Sequence, residues 1–291
     1  MKKLSVLLLS FIMLFSLGGC KKSKIDDDAL ATLKDISSAG VETYKSISID
    51  AKLDVDNVQD GEAQNANIIF DADIINDQKD FKKIQAAINL KLGGAELTEE
   101  QTKLMKMAIY IKDNNMYMDM LGQKMKMSMD GLVAKQDTEA KSPVKPMTDE
   151  QIEKFKELLS EASIETTENG NKKVKFVFDN EKLFEGMEKI LGEGSEDPLV
   201  KQKMAETKKE WDALKETTTF ERIILSYEIT KDNAFVSLNL DCKTAEKANP
   251  KNTSTIKLDI KVSNLNSLKE VEFPDFKDFK ESKAPKVPTA V

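Results

Sequence analysis

MKMAIYIKDNNMYMDMLGQKMKMSM, residues 105–129, reads as three short strands joined by two turns. Met105, Met107, Ile109 and Ile111 alternate with Lys106, Ala108, Tyr110 and Lys112. A period of two puts successive side chains on opposite faces of a strand, so the apolar set shares one face. Asn114-Asn115 has the residue types of a hairpin turn. Met116, Met118 and Met120 follow with the same alternation, Gly122-Gln123 turns the chain again, and Met125, Met127 and Met129 complete the meander. Eight of the 13 methionines of the chain fall in this stretch. Methionine is a mediocre strand former, which makes its repeated choice on one face informative.

The alternation continues outward. Upstream, Ile47, Ile49, Ala51, Leu53 and Val55 form one strand, Ile68, Phe70, Ala72 and Ile74 a second, and Ile84, Ala86, Ile88, Leu90 and Leu92 a third, separated by Asp60-Gly61 and Asn76-Asp77 and closed by Gly93-Gly94. Downstream, 164–167 and 174–179 pair across Asn169-Gly170-Asn171, and three long strands cover 222–230, 234–244 and 255–263. Between them the period becomes helical. A first helix runs from Ala29 to about Tyr44, with Leu30, Leu33 and Ile36 on one face. Thr148-Asp149-Glu150-Gln151 has the form of a capping box, opening a helix with Ile152, Phe155, Leu158, Leu159 and Ala162 inward. Asn180 caps a third helix (Leu183, Phe184, Met187, Ile190, Leu191), and Pro198 opens a fourth carrying Leu199, Met204, Trp211 and Leu214. Blocks of one-faced strands with amphipathic helices set between them predict an α+β fold. We expect a large curved antiparallel sheet, a half-barrel, with the helices packed in its concave face.

The N-terminus has a different logic. Lys2 and Lys3 precede an apolar run from Leu4 to Leu17, the pattern of an export signal. The run is shorter than the about 20 residues that a membrane span needs. It ends in Leu17-Gly18-Gly19-Cys20, which resembles the lipobox of bacterial lipoproteins. That resemblance implies cleavage before Cys20 and a diacylglyceryl (palmitate-type) anchor on its thiol. It places the protein on the extracytoplasmic face of a cell membrane, in a Gram-positive bacterium. The organisation expected is a signal peptide at 1–19, a polar tether at 20–28, a single domain at 29–280 and a disordered Lys/Pro-rich tail at 281–291. Phe273, Phe276 and Phe279, just before it, are expected to dock over a cleft; the alternative is that they present a partner site.

Composition excludes several chemistries. The chain has no histidine, which removes Ser-His-Asp and Cys-His nucleophilic sites and imidazole-based zinc sites. Once Cys20 is acylated, Cys242 is the one thiol left, so no internal disulfide forms. Cys242 shares its parity with Val236, Leu238 and Leu240 and reads as an inert core residue. Loss of Lys2 and Lys3 takes the net charge from −7 to −9, the wrong sign for nucleic acid. Asp26-Asp27-Asp28 and Asp71-x-Asp73 lack calcium-loop spacing and read as solvated surface. No catalytic constellation, metal or cofactor is expected, and the chain does not read as an enzyme.

By its lipobox, and by the order of its elements over residues 29–265, the chain is similar to the LolA-like lipoproteins. These include the periplasmic lipoprotein carrier, mycobacterial lipid-binding lipoproteins and, nearest, uncharacterised Gram-positive lipoproteins of a domain-of-unknown-function family. The resemblance implies an apolar cleft that in relatives holds acyl chains. Three readings of the methionine face stand side by side. It is plain core under the helices. It is an adaptable lining for a lipid or other hydrophobic ligand, formed by Met107, Met116, Met118, Met120, Met125, Met127 and Met129. Or its thioethers hold Cu(I), which the lack of histidine disfavours. The function expected is hydrophobic-ligand binding at the membrane; the alternative is an envelope protein-protein interaction or sensor role without a small ligand. Replacing the acylated residue tests the anchor: Cys20→Ser should release the protein from membranes or leave its leader uncut. Membrane retention with unchanged processing would overturn the assignment.

Overall fold

The computed structural model describes residues 24–38, 44–76, 83–94, 106–120, 122–129, 147–183, 185–186 and 198–282. The expectations for Cys20, Met105, Phe184, Met187, Ile190 and Leu191, and for the side chains of Ile36, Leu199 and Met204, lie outside them. The elements run in the order β1 (Lys24–Ile25), α1 (Asp27–Ser38), β2 (Ser46–Gln59), β3 (Glu62–Ile75), β4 (Gln85–Gly94), β5 (Lys106–Lys112), β6 (Asn115–Met120), β7 (Gln123–Ser128), α2 (Asp149–Glu157), β8 (Leu159–Thr166), β9 (Lys172–Phe178), α3 (Pro198–Thr217), β10 (Thr218–Ile229), β11 (Phe235–Glu246), β12 (Thr253–Ser263) and β13 (Lys280–Glu281). The thirteen strands are hydrogen-bonded in the order β1-β8-β9-β10-β11-β12-β2-β3-β4-β5-β6-β7-β13. The fold is therefore α+β with a large sheet, as expected. The sheet is mostly antiparallel, and its two outermost strands, β1 against β8 and β13 against β7, are parallel and two residues long.

Contacts divide the chain into two compact units. The first comprises residues 1–40, 55–64 and 144–259, and the second 41–54, 65–143 and 260–291.

In the first unit, one sheet face is closed by helices. Val174, Phe176 and Phe178 of β9 lie level with Ile223, Leu225 and Tyr227 of β10 and with Leu240 and Cys242 of β11, all buried. Phe155 of α2 meets Phe176 and Phe178 edge-on, with ring centroids 5.1 and 5.7 Å apart. Trp211 of α3 stacks on Phe220 at 5.9 Å. On α1, Ala29, Leu30 and Leu33 are buried, and the Thr32 hydroxyl shares a 2.8 Å hydrogen bond with the Tyr227 hydroxyl. That bond gives both hydroxyls a partner in a setting where an unpaired one would cost stability.

Three helix boundaries differ from the sequence reading: α1 begins at Asp27, two residues before the expected Ala29, and the others concern the helices that follow. The capping box at Thr148 forms: its hydroxyl accepts from the Gln151 N–H at 3.2 Å, and the Gln151 side chain accepts from the Thr148 N–H at 2.8 Å. But α2 stops at Glu157, and Leu159 and Ala162 belong to β8. A bulge between Leu159 and Glu161 resets the alternation, so residues three apart face the same way. That spacing imitates a helix. The next helical turn is capped by Asp179, one residue before the expected Asn180. The Asp179 carboxylate accepts from the N–H groups of Glu181 and Lys182, at 3.1 and 3.2 Å.

The second unit is the methionine meander with its flanking strands. Gly94 ends β4 where a Cβ would come within 2.8 Å of the Asn65 carbonyl oxygen of β3. Lys45 and Ser46 are fastened to the turn that follows β12. The Lys45 N–H donates to the Asn266 side chain at 2.6 Å, and the Ser46 hydroxyl accepts from Leu268 N–H at 3.0 Å. From there the chain runs to Phe273, Phe276 and Phe279, which pack on Tyr110 and Tyr117. The tail thus docks, but on the sheet face opposite the methionines, because Tyr110 and Tyr117 have the other parity.

Burial alone would raise the Asp179 carboxyl, but hydrogen bonds from Lys182 and Glu181 and the Lys182 ammonium together hold it below its ordinary 3.8. A depressed carboxyl contributes stability above that ordinary value and loses it as pH falls through the folded value. Asp179→Ala should cost about 1 kcal/mol at neutral pH. Urea titration of both proteins should show the gap closing in acid. Cys242 is fully buried, and burial first, then Asp241, pushes its thiol up to about 12. Alkylation followed by peptide mass should find Cys242 unmodified in the folded protein and modified in urea.

Candidate functional site

The geometry of β5, β6 and β7 is set by their turns. Asp113 and Asn114 both have positive φ, 51° and 59°, the signature of a two-residue turn whose twist matches the strands it joins. The turn thus lies one residue before the expected Asn114-Asn115, and the Asn115 side chain braces it by donating to the Asp113 carbonyl at 2.8 Å. Lys112 then pairs with Asn115, Ile111 with Met116, Ile109 with Met118 and Met107 with Met120. Gly122, at φ 77°, turns β6 into β7, and Met118 pairs with Met125 and Met116 with Met127. Met129 continues this parity just past β7, its N–H donating to the Asn114 carbonyl at 3.0 Å.

The face does not stop at the methionines. On β4, Ala86, Ile88 and Leu90 lie opposite Ile111, Ile109 and Met107. On β3, Ile74, Ala72, Phe70 and Ile68 lie opposite Ala86, Ile88, Leu90 and Leu92. The register thus builds an apolar surface five strands wide. With neighbouring strands about 4.8 Å apart, it measures about 19 Å across. Its exposure is uneven. Ala72, Ala86 and Met127 are buried, Met120 is 40% exposed, and Met107, Met116, Met118, Met125 and Met129 are half-buried. The seven described methionines that the sequence selected therefore share one face, and most of them keep part of their surface accessible.

The reverse face of the same strands carries chemistry that the sequence reading did not single out. Tyr110 pairs with Tyr117, Tyr117 with Lys126, and Asp119 with Lys124. Burial, then Asp119 and Asp71, raises the Tyr110 phenol above its ordinary value, so it stays neutral and packs as an aromatic ring. The available signal was its parity, opposite to that of the methionines, combined with three phenylalanines about 160 residues later.

The first unit has an open cleft of about 630 Å³ over the ends of β8, β9 and β10, lined in part by Ser160, Val177, Phe220 and Arg222. Several of its polar groups bond nearby side chains or backbone. Arg222 bonds Asp241 at 2.8 Å, Lys247 donates to the Lys215 carbonyl at 2.6 Å, and Asn180 donates to the Glu221 carbonyl at 3.0 Å. The Ser160 hydroxyl donates to the Val177 carbonyl at 3.1 Å. Among the described residues, no group of three His, Cys, Asp or Glu side chains could hold a metal ion. No helix among them is long and apolar enough to cross a membrane.

No curated protein matches the chain. Two solved structures align over most of its length. One is a DUF1329 family protein from Desulfovibrio piger, at 10% identity over 86% of this chain and 96% of that one, with a TM-score of 0.23. The other is a putative outer membrane lipoprotein-sorting protein domain from Vibrio parahaemolyticus, at 7% identity over 86% and 97%, with a TM-score of 0.22. Scores this low carry nothing about what the present chain binds. The profile of a family of unknown function, DUF6612, matches residues 31–281, and the chain belongs to that family.

Proposed function

We propose that this protein is an envelope lipoprotein, anchored through Cys20, that holds a lipid or other hydrophobic ligand against the methionine face of β3–β7. It performs no catalysis in this reading. The observation that supports it is the register: five strands present an unbroken apolar surface whose β5–β7 part is mostly half-buried methionine. A core that must hold one shape favours Leu, Ile and Val, whose rotamers are better defined. Methionine, with three rotatable bonds and a polarizable sulfur, repacks against differing shapes at small cost. A surface about 19 Å wide made of such side chains suits a flexible acyl chain laid across the strands. Burying a fully exposed side chain of this size is worth roughly 1.5–3 kcal/mol; these are already half-buried, so each supplies a part of that and a ligand must cover several of them.

A fluorescent fatty acid added to the mature protein tests this reading. We expect saturable binding that Met118→Lys or Met127→Lys abolishes and Met118→Leu weakens only mildly. Circular dichroism must show that the lysine variants fold, since a charge forced into a closed core unfolds it instead. If the wild type binds no fatty acid and each lysine variant unfolds, the face is ordinary core and the proposal fails.

A further inference from the structure

We propose that the tyrosine–lysine face of β5–β7, with the edge of β7, is a recognition site for an acidic, phenylalanine-bearing peptide segment, and that residues 273–281 are its resident occupant. The site is on the reverse of the methionine face, and the inference does not rest on the lipid reading.

The tail is held as a peptide ligand is held in strand-addition complexes, by side chains seated on a surface and backbone added to an open sheet edge. Phe276 stacks on Tyr117 with centroids 3.8 Å apart and planes 15° apart. It also meets Tyr110 edge-on at 5.8 Å, and Phe273 and Phe279 flank it against the same ring at 6.5 Å each. Lysines close both ends: Lys112 sits 4.9 Å over the Phe273 ring, and Lys124 sits 5.5 Å over the Phe279 ring. The charges are complementary, with Lys124 3.8 Å from Asp278 and Lys126 3.8 Å from Glu281. The backbone joins the edge, where Lys280 and Glu281 run parallel to Met125 and Lys126 and the Ser282 N–H donates to the Lys126 carbonyl at 2.8 Å.

These bonds differ in weight. Asp278 and Glu281 are 82% and 88% exposed, so their ion pairs contribute little and fade with salt. The parallel pairing spans two residues. The rings carry the attachment, and Phe279 is buried while Phe273 and Phe276 keep part of their surface accessible. The tail is thus a tethered ligand, favoured over an external copy by its high effective concentration rather than by extensive burial.

A fluorescently labelled peptide of residues 269–282, KEVEFPDFKDFKES, provides the probe. In the full chain, Phe276→Ala together with Phe279→Ala vacates the site. Anisotropy titration should show this variant binding the peptide at least about tenfold more tightly than the wild type, whose own tail competes. Added salt should weaken the binding only slightly, since the rings carry it. Adding Tyr117→Ala, or replacing the peptide's phenylalanines by alanine, should abolish it. A folded double variant that binds no better than the wild type, or no better than the phenylalanine-free peptide, would overturn the proposal. If the double variant does not fold, the wild type is exposed to excess peptide carrying a photoreactive benzoyl group on the Phe276 ring. Adducts on β5–β7 would then support the site, and no adducts, or adducts elsewhere, would overturn it.

Discussion

Alternation along a strand is meaningful only while its register holds, and in this protein the register rests on a few turn residues able to take positive φ. A slip of one residue moves every side chain to the other face. At the β5–β6 hairpin a slip of β6 would set Tyr117 and Asp119 among the apolar side chains of β5 and turn Met116, Met118 and Met120 to the reverse face. Asp113 and Asn114 prevent it, because short polar side chains enter the left-handed region at low cost and fix a two-residue loop. Asp60 and Gly61, with φ 53° and 88°, do the same between β2 and β3. There the Asp60 N–H is held by the Asn252 side chain at 2.9 Å. Both faces of the β5–β7 meander, apolar and aromatic, follow from the Asp113-Asn114 and Gly122 turns.

The two units use one-faced strands differently. In the first, the apolar face is sealed by aromatic and aliphatic side chains from α1, α2 and α3. Tyr227, Phe176, Phe155 and Trp211 all reach near-complete burial. One polar pair within it, Thr32 against Tyr227, is internally satisfied. In the second, the apolar face is mostly half-buried, and its β6–β7 part is all methionine, the most adaptable apolar residue. The contrast within one chain shows that the composition of the second face is not forced by the sheet architecture. The same kind of strand, elsewhere in the molecule, carries Ile, Val, Phe and Leu.

Much of this was legible because parity survives small errors. Placing the turn at Asn114-Asn115 instead of Asp113-Asn114 shifts the cross-strand partners by two residues. It leaves the methionines on the same face, so the surface could be read while its pairs could not. The bulge at the start of β8 was not legible, since Leu159 and Ala162 at a spacing of three satisfy a helical pattern as well as a bulged strand. The cap at Asp179 was obscured by a second competent residue beside it. The tyrosine face stayed hidden for a different reason. Tyr110 and Tyr117 look like solvent-facing positions until the partners from residues 273–279 are in place, and no local pattern connects segments so far apart in sequence.

Both ends of the strand order finish in the same way, with two residues in parallel alignment: Lys24–Ile25 beside β8, and Lys280–Glu281 beside β7. An antiparallel sheet with a bare lateral strand is a seed on which further chains can polymerise, as in cross-β fibrils. Here each outermost strand is itself only two residues long and lies over two residues of its neighbour, far fewer than the six or seven residues of a fibril-forming segment. The stubs act as chain stoppers. Among the described residues, each stub caps part of its neighbour's edge, and a short edge is a poor template for further pairing.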